Sequence, residues 1–192
     1  MKRNKIYLLI GILIFVGGGV AFWRVGPESQ NSNVSGANAL TAESKAAPDF
    51  SLSDYEGHSH RLSELKGNVI VLHFWASWCP PCLSEIPTWV ELANHFKNQP
   101  LRLVAVSLDE KWADAQKILP SAGLPENLLS LIDTQTHVPD LYGTYQYPET
   151  YVIGRDQKIL VKLIGPQDWS GERITKLLDE ILRRPFKPDS SS

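Results

Sequence analysis

The chain has 192 residues, 43% of them hydrophobic, which is enough for one substantial buried core, and a formal net charge of −2 without a basic stripe, which argues against nucleic-acid binding. Its only two cysteines are Cys79 and Cys82. A domain of this size needs no covalent staples, so a disulfide-built scaffold is excluded and the pair is expected to be chemical.

Residues 6–23, IYLLIGILIFVGGGVAFW, carry no charge. As a helix they would run about 27 Å, close to the hydrocarbon thickness of a bilayer. Lys2, Arg3 and Lys5 precede this stretch and only Arg24 follows it closely, so the positive-inside bias keeps the N-terminus cytoplasmic and exports the remainder. A cleaved signal peptide would have an apolar core of about 7 to 15 residues followed at once by a small-x-small site. Here the nearest such site, Ala37-Asn38-Ala39, lies well beyond Trp23. The expectation is a retained single-pass membrane anchor over residues 1–25. The rest of the chain then lies on the extracytoplasmic side. Residues 26–47 are polar, small and aperiodic, the composition of a flexible linker. Residues 48–185 are one domain's length, and 186–192 form a polar tail.

The domain opens with FSLSD, a turn at YEGH and HRL, a short hairpin with Ser63 as the expected cap. GNVIVLHFWAS is nearly continuously apolar and β-branched, as in a central strand covered on both faces. From Pro80 to about Lys97, Leu83, Ile86, Val90, Ala93 and Phe96 recur at helical spacing, with Pro87 expected to kink the helix. LRLVAVSL at 101–108 reads as a second buried strand, and Trp112, Ala115 and Leu119 as a helix ending near Pro120, completing a β-α-β unit. LLSLI at 128–132 suits another strand, and Val138 to Tyr142 a short helix. After Pro148, ETYVIGRDQKILVKLIG reads as two antiparallel strands joined at Arg155-Asp156-Gln157. A last helix, capped by Ser170, has Ile174, Leu177, Leu178, Ile181 and Leu182 on one face and ends before Pro185.

The motif Trp78-Cys79-Pro80-Pro81-Cys82 stands between the first long strand and its helix. At a helix start, free N–H groups and the positive dipole end are expected to face the first sulfur. Cys79 is therefore the expected nucleophile and Cys82, one turn on, the resolving thiol. Pro80 suits the first helical position, where no N–H is needed. Lowering a thiol pKa from about 8.5 to about 7 raises the thiolate fraction at pH 7 from roughly 3% to roughly 50%, while the accompanying loss of nucleophilicity leaves only about a threefold gain.

HFWASWCPPC resembles the active site of the thioredoxin superfamily, specifically its membrane-anchored TlpA/ResA-like branch. The lead-in APDFSLSDYEGHSHRLSELKG, the helix start LSEIP, the strand VAVSLDE and the loop YPETYVI extend the resemblance over most of the domain. It implies an α/β thioredoxin fold: a central mixed sheet flanked by helices, with an N-terminal hairpin extension and a βα insertion, preceded by one transmembrane helix. It further implies a redox-active Cys79–Cys82 disulfide that exchanges with other proteins, commonly as a reductase and in several members within cytochrome c assembly. The expected partners are disulfide or dithiol proteins and a membrane electron donor, with no cofactor and no metal. Pro148 matches the superfamily's cis proline, which would turn the Tyr147 backbone toward an extended peptide. Glu85 matches an acidic residue frequent in the branch and shares a helical face with Cys82. His73 is a departure from the pattern; buried and neutral, it could take the Cys82 proton. Trp75 and Trp78 are expected around the motif, with Trp78 lining a peptide surface beside Pro81.

The rival readings belong to other classes. A copper metallochaperone of the same fold would use Cys79, Cys82 and a histidine, soft thiolates favouring Cu(I). Its relatives, however, space their cysteines more widely. A peroxidase would need a single cysteine in a threonine-containing proline loop, and a zinc site a second C-x-x-C or a histidine pair; neither occurs.

Overall fold

The computed structural model describes residues 45–120 and 123–186. The expected anchor, the linker before Lys45 and the tail beyond Phe186 lie outside them. The strands are β1 (Ser51–Ser53), β2 (Ser59–Arg61), β3 (Val69–Trp75), β4 (Leu101–Ser107), β5 (Leu128–Ile132), β6 (Glu149–Ile153) and β7 (Ile159–Ile164). The α-helices are α1 (Pro80–His95), α2 (Trp112–Ile118), α3 (His137–Tyr142) and α4 (Glu172–Leu182).

One mixed sheet holds all seven strands in the order β2-β1-β5-β4-β3-β6-β7. β3 lies inside it, parallel to β4 and antiparallel to β6, and every one of its residues is buried. This is the thioredoxin-like α/β arrangement that the strand patterns and the family resemblance imply. β5, reached through α2, pairs parallel with β4. The hairpin of β1 and β2 joins the sheet through a single register pair, Ser53 with Ile132.

Alternation along β3 separates the two faces of the core. His73 packs on Trp89 of α1 and on Trp169, whereas Phe74 packs on Tyr142 of α3 and on Tyr151. Burial of a valine, leucine or isoleucine stabilises by about 1.5–3 kcal/mol, so β3 and the helices covering it fix the frame on which the motif is mounted.

Three local expectations are corrected. The buried face of α1 is Cys82, Glu85, Trp89, Leu92 and Ala93, followed by Phe96; Leu83, Ile86 and Val90 lie only half-buried at its margin. The indole of Trp89 and the β3 face fill the space that periodicity assigned to the aliphatic residues, and α1 runs through Pro87 without interruption. Ser63 caps nothing: its N–H and hydroxyl both donate to the Asp49 carboxylate, and the turn Leu62–Leu65 starts from Arg61. Ser170 turns its hydroxyl to Asp168, and Gly171 occupies the N-cap of α4.

Residues 45–47, assigned to the linker by composition, pair with the β6–β7 turn. Ala46 bridges Lys158, the Ala47 N–H donates to the Gln157 carbonyl at 2.8 Å, and the Ile159 N–H donates to the Lys45 carbonyl at 2.8 Å.

Candidate active site

The C-terminal end of β3 delivers Ala76 to Cys79 into a tight turn closed by the Cys79 N–H on the Ala76 carbonyl at 3.2 Å. Cys79 is the N-cap of α1, and its sulfur is bonded to that of Cys82 at 2.06 Å. Cys82 is wholly buried, while Cys79 retains a small exposure at the rim.

Expected free N–H groups around the first sulfur are scarce. Pro80 and Pro81 have no N–H to offer, and those of Cys82 and Leu83 both donate to the Cys79 carbonyl, at 3.0 and 3.2 Å. The dipole of the 16-residue α1 remains. The local donors that would stabilise a Cys79 thiolate most directly have been removed by the two prolines.

The Tyr147–Pro148 bond is cis. Because Glu149 pairs with Phe74, this proline lies at the same end of the sheet as the cysteines. Trp78 is 61% exposed, and its ring meets Tyr147 edge-on with centroids 6.1 Å apart. The two aromatics form an apolar shoulder beside the disulfide, while Trp75 is buried in the core.

His73 and Glu85 come together beneath this surface. Both are buried, and His73 Nε2 lies 3.6 Å from Glu85 Oε2. Neither atom has a hydrogen-bond partner among the described residues. His73 Nδ1 shares a 2.8 Å hydrogen bond with Thr150 Oγ1. Glu85 Oε1 accepts from the Gln167 N–H at 2.7 Å and from Trp169 Nε1–H at 2.8 Å. Burial pushes the imidazole down to about 3 and the carboxyl up to about 7, the latter against those two hydrogen bonds. His73 is therefore neutral at pH 7, and Glu85 stands close to the midpoint of its titration.

Sequence reasoning missed Thr150, Gln167 and Trp169, which join His73 and Glu85 from β6 and the loop after β7. It also missed Asp109, a buried carboxylate that accepts from the Ser77 N–H at 3.1 and 3.3 Å, from Ser77 Oγ–H at 2.7 Å and from Ser107 Oγ–H at 2.7 Å. An acid two residues past the end of a largely apolar strand was the available signal. Among the described residues, no cluster of three or more histidine, cysteine or carboxylate side chains has the geometry to hold a metal ion.

Residues 44–162 match the AhpC/TSA family model. The thiol-disulfide oxidoreductase ResA of Bacillus subtilis is 30% identical over 164 residues, covering 85% of this chain and 87% of that relative. ResA of Geobacillus thermodenitrificans is 36% identical over 124 residues, 65% of this chain and 70% of that one. Among solved structures, a putative thiol:disulfide interchange protein DsbE from Chlorobium tepidum superposes with a TM-score of 0.65 at 33% identity, over 75% of this chain and 99% of that one. With a cysteine pair joined at the start of α1 and relatives of this kind along most of its length, the chain belongs to the AhpC/TSA family of the thioredoxin superfamily and is a thiol-disulfide oxidoreductase.

Proposed function

We propose that this oxidoreductase is a membrane-tethered reductase of protein disulfides on the extracytoplasmic side of the bacterial inner membrane. Cytochrome c assembly proteins are the first substrate class to test. The observation that carries the mechanism is the unequal burial of the two cysteines: Cys79 keeps a small exposure and Cys82 has none.

The Cys79 thiolate attacks a partner disulfide, forming a bond between Cys79 and one partner sulfur while the other leaves and takes a proton. Cys82 then loses its proton and attacks Cys79 Sγ, which closes the internal disulfide and releases the second partner sulfur. The partner gains two electrons and two protons, and a membrane donor must return both electrons to the Cys79–Cys82 pair. Glu85, near 7, is matched to accepting the Cys82 proton at neutral pH. His73, depressed to about 3, is a poor base on its own and acts beside Glu85 Oε2. The shoulder of Trp78 and Tyr147 supplies apolar contact for an extended segment of the partner running past Pro148.

The copper-binding alternative gains no support, because Nδ1 of the buried His73 is engaged by Thr150 and Nε2 faces Glu85. Cys82→Ser is expected to accumulate mixed disulfides with partner proteins and Cys79→Ser to accumulate none; equal trapping by both variants overturns the assignment. Resistance of the full chain to alkaline extraction from membranes tests the tether, and a soluble form starting near Asn38 refutes it. An equilibrium potential well below about −200 mV supports reduction, and one near −120 mV marks an oxidant.

A further inference from the structure

Asp109 sits in the turn after β4 with its carboxylate aimed back at the approach to the cysteines. All its side-chain partners are uncharged donors: the backbone and hydroxyl of Ser77 and the hydroxyl of Ser107, which in turn accepts the Asp109 N–H at 3.1 Å. Ser77 is two residues before Cys79, and the turn closed by the Cys79 N–H on Ala76 folds that short segment back on itself. The 3.1 Å contact to the Ser77 N–H, two Cα steps of 3.8 Å and the cysteine side chain together hold the carboxylate within roughly 15 Å of the Cys79 sulfur.

We infer that Asp109 is a positioning residue whose fixed negative charge, held beside the Cys79 segment, holds up the pKa of the reduced Cys79 thiol and keeps the cysteine couple reducing. The proposal rests on the thiol-disulfide exchange assigned to Cys79 and Cys82, and deepens it by naming what sets the poise. A like charge disfavours the thiolate. Destabilising the thiolate destabilises the reduced state wherever that thiolate is populated, and so lowers the potential of the couple. Absence of an N–H on either Pro80 or Pro81 acts in the same direction, since it leaves the thiolate few direct donors.

Other charges around this end of the sheet have their own partners or face solvent. On the β5 side, Asp133 accepts the Val138 N–H at the start of α3. On the β6 side, Glu149 is paired with Lys162 at 2.8 Å. Glu110 and Lys111, which follow Asp109 directly, are exposed. Glu85 lies on the buried face of α1 with Cys82, bonded to Gln167 and Trp169. Tyr147 is half-buried beside Trp78.

The test compares Asp109→Asn and Asp109→Ser, which remove the charge but keep a hydrogen-bonding group, with Ser77→Ala, which removes a clasp donor and keeps the charge. The thiolate's ultraviolet absorbance gives the Cys79 pKa, and equilibration with glutathione from pH 6 to pH 9 gives the equilibrium constant. Both neutral variants are expected to lower the Cys79 pKa by about one unit. Their equilibrium constants should match wild type near pH 6 and move toward the dithiol by as much as about tenfold near pH 9, or about 30 mV. Ser77→Ala should keep the wild-type pKa. A neutral variant with native circular dichroism and an unshifted Cys79 pKa overturns the proposal, as does a potential change of equal size at every pH, which reports altered packing instead. If wild type itself did not equilibrate with glutathione, the exchange assignment would fail, a result distinct from equal behaviour of wild type and variant.

Discussion

Replacing Glu85 with glutamine should make the protein more stable in alkali while making it a worse catalyst. Glutamine has the shape of the protonated carboxyl: its carbonyl can accept from the Gln167 N–H and Trp169 Nε1–H, and its amide N–H can face the unpartnered His73 Nε2. Burial raises the Glu85 carboxyl from 4.5 to about 7, so the folded protein holds this proton more tightly than the unfolded chain does. The resulting stabilisation is complete below pH 4.5, declines as pH rises, and is gone above about 7. At about 1.36 kcal/mol per pH unit it amounts to about 3 kcal/mol, a ceiling that relaxation around the charge will reduce. His73 contributes a gradient of opposite sign. Its depression from 6.5 to about 3 gives stability that is present above 6.5 and lost as pH falls. The two slopes oppose one another between 4.5 and 6.5, so the wild-type profile alone is uninformative and the difference curve isolates Glu85. Urea unfolding of the oxidised protein from pH 4.5 to 9 should show Glu85→Gln gaining on wild type across that range, by 2–3 kcal/mol at its end, on the order of the linkage above. Parallel curves would mean that the carboxyl ionises as freely in the fold as in water, and the proton route through it would be abandoned.

Stopped-flow reduction of a model disulfide separates the two proton carriers. Glu85→Gln should slow resolution of the mixed disulfide by about 10² or more at neutral pH, while His73→Asn should keep the initial attack by Cys79 and slow the second step less; a larger loss in His73→Asn reverses the roles. Trp78→Ala, at an exposed position, should change stability by no more than about 0.5 kcal/mol. It should nevertheless weaken reduction of protein disulfides several-fold and leave small-molecule disulfides unaffected, and equal loss on both substrates would remove the aromatic shoulder from partner recognition.

Legibility of the site in the sequence follows the range over which its parts are connected. Cys79, Cys82, Pro80 and Pro81 are adjacent in the chain, and the β3 run before them is hydrophobic enough to be recognised as a central strand without partners. Loss of helix-end donors at Pro80 and Pro81 was also readable, since proline lacks an N–H in any fold. The environment of Glu85 was not. It depends on Gln167 and Trp169, more than eighty residues away, arriving on a loop whose path no local periodicity encodes. The same holds for Asp109, whose three donors come from the ends of two different strands. The face of α1 was misplaced because aliphatic spacing favoured Leu83, Ile86 and Val90, whereas the groove above His73 accepts the larger Trp89 and tolerates a carboxyl at Glu85 that two donors satisfy.

The pairing of Lys45 to Ala47 with the β6–β7 turn has a mechanical consequence. β6 runs antiparallel to β3, so this turn stands at the opposite end of the sheet from the cysteines. The seven residues of β3 span about 23 Å between the two poles. Whatever force the preceding chain exerts on the domain enters through residue 45 and is borne as shear along the β7 edge, far from the disulfide. Under the membrane tether proposed above, a domain held at this pole would present its cysteine end away from the point of attachment. A partner protein would then meet Cys79 on the side remote from residue 45.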